Sequence, residues 1–187
     1  MLRIVQAPHI ALSEKAKPIG KIDASVHKLI KDMTVSLASA TDPEGIGLAA
    51  PQVGKSLRMF IIKQTPDSPL MVFINPEVEQ VKAHDEKVVK KKGRTQNSNG
   101  VKLEGCLSLK DIWGVVKRHP SVVLSYQDET GKQRRRTFKG FLATIIQHEY
   151  DHIEGILFPK RVLEQGGQLY KSKKDDKGET IFEEIEI

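Results

Sequence analysis

The sequence is poorest in cysteine: Cys106 is the only one in 187 residues. No intramolecular disulfide can form, and a chain of this length buries a core without such staples. A lone cysteine is most often an inert core residue. Long apolar runs are missing too. No stretch approaches the length that spans a bilayer, and Met1 to Leu12 hold no run of signal-peptide length, with Pro8 and His9 interrupting what there is. The chain is therefore expected to be cytoplasmic and to have no membrane partner. No internal repeat or long linker divides it, so residues 1–187 are expected to form one domain.

Composition is ordinary for a globular protein, with 29% charged and 39% apolar residues. The formal net charge of +6 is concentrated in two clusters, Lys87, Lys90, Lys91, Lys92 and Arg94, then Lys132 with Arg134, Arg135 and Arg136. Basic clusters are more often solvated faces than nucleic-acid sites. Neither has interleaved aromatic residues, which argues against stacking on single strands, and no sequence-specific nucleic acid is expected.

Apolar spacing over Asp23–Ala40 predicts an amphipathic helix, and Gly45–Gly54 reads as a loop. Leu57–Lys63 and Leu70–Ile74 read as strands split by a turn at Pro66–Pro69, with Pro76 ending the second and Glu77–Val81 a separate short strand. Ala83–Gly100 reads as a polar, mobile insertion. Strands are expected at Val115–Lys117, Ser121–Gln127 and Gln133–Phe138, with a turn at Asp128–Gly131. Gly140–Ile153 reads as a second helix, stopped by Gly155. Leu169–Lys173 and Thr180–Ile187 form a strand-like C-terminal tail. The expected class is α+β, with mixed and antiparallel sheets around a buried helix that carries a His-Glu-x-x-His motif.

That motif is His148-Glu149-Tyr150-Asp151-His152. Histidines four apart on a helix share one face and can reach one ion. Glu149 follows the first histidine, placed to touch a bound water rather than the metal. Phe141, Leu142, Ile145 and Ile146 mark the helix as largely buried, which separates it from a surface helix that happens to carry histidines. A catalytic ion needs a third protein ligand and an open position. Cys106, in Glu104-Gly105-Cys106-Leu107-Ser108, is the obvious donor, although an acidic third ligand is equally common; Gly105 would let the backbone approach closely. A site of one thiolate and two imidazoles suits one divalent metal: zinc, iron, nickel or cobalt.

Three segments together resemble the signature motifs of the peptide deformylase family: Gly45-Ile46-Gly47-Leu48-Ala49-Ala50-Pro51-Gln52, then Glu104–Ser108, then Gln147–His152. Similarity continues through Asn75-Pro76, Arg118, Gly140–Ala143 and Gly155–Phe158. The resemblance implies a metal-dependent hydrolase that removes the formyl group from N-formylmethionyl nascent peptides. It implies Cys106, His148 and His152 as ligands of a metal, Fe2+ in the cell, with Glu149 as proton carrier. Gln52 and the backbone N–H of Leu107 would face the oxyanion. Gly45, Ile46 and Gly47 would offer a backbone edge to the peptide, and Ile46, Phe141, Thr144, Ile145 and His148 would line a methionine pocket. Glu104 and Arg118 would pair; Trp113 would flank the groove, with buried packing equally plausible.

Departures from the family pattern are Lys110 in place of a proline, the longer insertion, Lys160-Arg161 in place of an acidic-basic pair, and the strand-like tail. The basic clusters offer a way to dock at the ribosome. Two rivals are a metallopeptidase with a different third ligand, and a binding protein whose structural metal is closed by His119.

Overall fold

In the computed structural model, which describes residues 1–41, 44–82 and 103–186, twelve elements follow in order. They are α1 (Ala24–Ala38), β1 (Gly47–Ala49), β2 (Met59–Ile62), β3 (Met71–Lys82), β4 (Glu104–Cys106), β5 (Leu109–Gly114), β6 (Ser121–Gln127), β7 (Gln133–Lys139), α2 (Gly140–Ile153), α3 (Phe158–Glu164), β8 (Leu169–Lys174) and β9 (Thr180–Glu184). One sheet runs β1-β2-β3-β6-β7 and the other β4-β5-β8-β9. Every pairing of these strands is antiparallel; among the described residues the one parallel contact is the isolated bridge Lys17–Leu57.

The first sheet is the middle layer between two helices, and its residues divide by the period-two rule. Leu48, Met59, Ile61, Val72 and Ile74 face α1, meeting Leu29, Ile30, Met33 and Leu37. Ala49, Phe60, Ile62, Phe73, Val122 and Leu124 face the other way, onto Ala143, Ile146 and Ile153 of α2. All four residues of β2 are buried, since both its faces are covered. Each large side chain so enclosed contributes about 1.5–3 kcal/mol. Asp23 caps α1 by accepting from the backbone N–H groups of Ser25 (2.9 Å) and Val26 (3.3 Å). The second sheet has a smaller core of Cys106, Phe158, Val162 and Leu169.

Several expectations are corrected. Pro76 does not end a strand: β3 continues to Lys82, with a register shift between Ile74 and Glu77. Asn75 takes a positive φ of 48° there. Its amide copies a peptide group, accepting from Ile19 N–H and donating to Ile19 C=O, both at 2.8 Å. A bulge tolerates the missing N–H of Pro76, which has none to donate to the ladder. The Gly45–Gly54 loop contains strand β1 and a 3-10 turn at Ala50–Val53. Val115–Lys117 is not a strand: the backbone N–H and C=O of Lys117 are satisfied by the Gln165 side chain at 2.8 and 3.2 Å. The strands nearby are β4 and β5, too short and polar to show alternation. Helix α3, seven residues opening near Pro159, was also unexpected. The insertion and the first basic cluster lie outside the described residues. Among those described, no helix is long and apolar enough to cross a membrane.

Candidate metal centre

Helix α2 sets His148 and His152 one turn apart, with ring centroids 4.9 Å apart at 81°. The second sheet delivers Cys106 on β4 to the same place. Its Sγ lies 3.2 Å from His152 Nε2, and one donor atom from each of the three residues falls within 4.8 Å of the others. Among the described residues this is the one such group; His119 does not join it, its backbone instead being bonded to the Gln147 side chain.

His148 is oriented from outside. Its Nδ1 meets Glu104 Oε1 at 2.6 Å, which leaves Nε2 as the ring nitrogen available to an ion. Arg118 holds Glu104 with two bonds, Nη2 at 2.7 Å and Nε at 3.1 Å, so the expected ion pair is present. Sequence reasoning missed the bond from Glu104 to the histidine. Glu104 and Cys106 are two apart on a strand and therefore share a face, the signal that pointed to it. The ring of Phe158 lies beside His148, with centroids 6.3 Å apart.

The Cys106 sulfur accepts from Ser108 N–H at 3.4 Å and from Gln52 Nε2 at 3.5 Å. Gln52 is itself fixed: its Oε1 accepts from Ala49 N–H at 2.8 Å, and Nε2 also reaches Ser108 Oγ at 3.3 Å. Ser108 was not singled out from sequence. Leu107 is half-buried and its carbonyl accepts from the Gln6 side chain at 2.9 Å.

Glu149 is 3% exposed, and its Oε2 has no hydrogen-bond partner. Burial pushes its carboxyl up to about 7, against the opposing pull of His148. His152, also buried, is driven well below its ordinary value and stays neutral, the form that ligates. For His148, burial opposes charge, but Glu104 and Cys106 outweigh it and raise the ring well above its ordinary value. A metal at Nε2 would displace that proton. Two imidazoles, one soft sulfur and a buried carboxylate with an orphaned oxygen fit a divalent cation with an open position.

The remaining predicted residues fall around this centre unevenly. Strand β1, with Gly47, is an edge of the first sheet, and β4, with Gly105, is an edge of the second. Gly105 lies under Trp113: a β-carbon there would come within 2.6 Å of the indole. Trp113 is buried, in edge contact with Phe182 (5.7 Å), with its indole N–H donated to Ser172 at 3.0 Å. Gly45 is tucked against Leu37 and Ala40 of the first helix and the loop that follows it. Ile145 is buried in the α2 core and Ile46 packs against it, while Thr144 is half-buried. Phe141 is 45% exposed at the start of α2, so the apolar run there is less buried than expected.

A family model described as polypeptide deformylase matches residues 1–167. A peptide deformylase of Synechococcus sp. (strain CC9311) is 39% identical over 168 residues, covering 88% of this chain and 74% of the relative. One from Dehalococcoides mccartyi (strain CBDB1) is 37% identical over 174 residues, covering 93% of each. The crystal structure of peptide deformylase from Thermotoga maritima superposes with a TM-score of 0.71 at 31% identity, covering 86% of this chain and 97% of that one. A match of this extent, with the three motifs folded around one donor cluster, means that this chain belongs to the peptide deformylase family.

Proposed function

We propose that this chain removes the formyl group from N-formylmethionyl nascent peptides at the centre formed by Cys106, His148 and His152, with Glu149 as the proton carrier. Deformylation is the activity of the family, and the chain is a metal-dependent hydrolase. The observation that carries the residue assignment is the convergence of three donors beside a buried carboxylate whose Oε2 is unpartnered.

Cys106, His148 and His152 would hold a divalent cation, which would supply Lewis acidity to the site. Ferrous iron is the proposed ion in the cell; zinc, nickel and cobalt suit the same donors. Glu149, with its carboxyl near 7, takes a proton from the attacking water and returns it to the departing amine. Gln52, anchored through Ala49, presents its Nε2 donors beside Cys106, and with the Leu107 N–H meets the charge that develops on the formyl oxygen. The edges at Gly45–Gly47 and at Gly105 receive the peptide main chain as an added strand, a mode that ignores sequence. Ile46, Phe141, Thr144, Ile145 and His148 take the methionine side chain, and Trp113 flanks the groove from behind Gly105.

Formate release from a formyl-methionyl peptide, by protein loaded anaerobically with ferrous iron, tests this reading. The expected result is turnover by the wild type and loss of turnover, with metal retained, in Glu149→Gln. No release by the loaded wild type overturns it. The exposed strand β7, with Arg134, Arg135 and Arg136, is proposed to dock the enzyme at the ribosome in the cytoplasm. Salt-sensitive ribosome binding supports that docking, and absent or salt-independent binding ends it.

A further inference from the structure

Asp151 lies inside the metal helix, is 5% exposed, and is no candidate ligand. Two arginines share it. Arg118 Nη1 donates to Oδ2 at 2.5 Å. Arg161, on α3, donates Nη2 to Oδ1 at 2.7 Å and lays Nε across both oxygens at 3.2 Å. With the bonds already described, an unbroken line runs from α3 to a proposed ligand: Arg161, Asp151, Arg118, Glu104, His148.

We propose that Arg161 is a positioning residue for the metal centre, acting through Asp151 and Arg118 to keep Glu104 on His148. The inference rests on the reading of Cys106, His148 and His152 as the metal-binding set. Arg118 spends its side-on pair, Nε with Nη2, on Glu104, and turns Nη1 to Asp151 and, at 3.5 Å, to the Gln147 carbonyl. Without Arg161, Asp151 Oδ1 loses its donor. A buried carboxylate oxygen takes a replacement N–H, and Arg118 already donates to the other oxygen of the same carboxylate. Asp151 and Glu104 then compete for Nη2, and the grip on Glu104 loosens. The side chain of Arg161 is 33% exposed, so the pair is screened by water on the arginine side although Asp151 itself is buried. Its effect is on orientation, and orientation of a ligating imidazole governs how firmly a cation is held.

The test follows release of nickel, or of cobalt through its thiolate absorption, from loaded protein into excess chelator. Arg161→Ala should release metal about 10-fold faster than wild type, the low end for partners outside the ligand set. Arg161→Lys, which keeps the charge without the fork, should also be faster, and it carries the test if the alanine variant does not fold. In an Asp151→Asn background, Arg161→Ala should add nothing. Glu164→Ala, which removes the surface partner of Arg161 at 3.1 Å and of Lys160 at 3.9 Å but leaves Asp151 bonded, should match wild type. Wild-type release by a folded Arg161 variant, or independent multiplication with Asp151→Asn, overturns the inference. If wild type itself held metal no better than Cys106→Ala, the metal reading would fail instead.

Discussion

The α-carbon of Gly47 faces the carboxylate of Glu149 so closely that a β-carbon on residue 47 would come within 2.8 Å of the carboxyl carbon. Strand β1 thus closes one side of the Glu149 carboxylate, the proposed proton carrier, and any side chain there must displace it. Gly47→Ala should leave metal stoichiometry intact while turnover falls about 10²-fold, the cost of moving a reacting group by about an ångström. Formate release beside metal analysis checks this; unchanged turnover would show that the close approach is not required.

Gln52 is held at both ends of its amide, by Ala49 N–H and by the contacts to Cys106 and Ser108. Removing an oxyanion donor typically costs 10²–10³ in turnover. Gln52→Ala is expected to lose about 10²-fold or more with metal still bound. Gln52→Glu keeps the acceptor for Ala49 and removes the donors, so it should be as impaired. A fully active glutamate variant would take Gln52 out of the chemistry.

Arg58 is 4% exposed and gathers Glu154, Glu77 (3.0 Å), the Tyr150 hydroxyl (2.9 Å) and the Pro76 carbonyl (3.0 Å). It ties the C-terminal end of α2 to the first sheet. Arg58→Leu leaves Glu77, the Tyr150 hydroxyl and the Pro76 carbonyl without their donor, while Lys15 still reaches Glu154 at 2.9 Å, and should cost about 3 kcal/mol, the low end for a broken buried pair because Glu154 is partly open to water. Tm should fall by on the order of 10 °C. A loss below about 1 kcal/mol in urea titration would show that the freed groups find water instead.

The Thr130 hydroxyl holds the carboxyl of Asp128 from its ordinary 3.8 down to about 2, helped by Arg134 and the N–H groups of Thr130 and Lys132. A depressed folded value stabilises above the unfolded value and loses that stabilisation as pH falls through the folded one. Metal-free wild type should exceed Asp128→Asn in urea midpoint at pH 7, and the gap should shrink between about pH 4 and pH 2. A gap that does not change with pH would remove the charge from the explanation.

Helix α2 was legible to the residue, Gly140–Ile153, because fourteen residues give a 3.6-residue pattern room to repeat. Strand β6 was equally clear at Ser121–Gln127, bounded by a turn. Glu104–Cys106 and Leu109–Gly114 were not, since strands of three and six residues with Gly105, Lys110 and Asp111 show no alternation. Lys110 is exposed on β5, and the strand forms without a proline there. The tail did form strands β8 and β9, and Phe182 of β9 reaches back to Trp113.

The sequence by itself determined the chemistry on offer: two imidazoles one helical turn apart, a carboxylate between them and one thiol, because local periodicity alone fixes that much. Only the tertiary structure decided that the Cys106 sulfur meets the two imidazoles. Residues 106 and 152 stand 46 apart in the chain, and their meeting depends on how the second sheet packs against α2. The same packing set Glu104 on His148, pressed Gly47 against Glu149 and brought Arg161 to Asp151. Contacts between elements are chosen by core packing, which no single segment encodes.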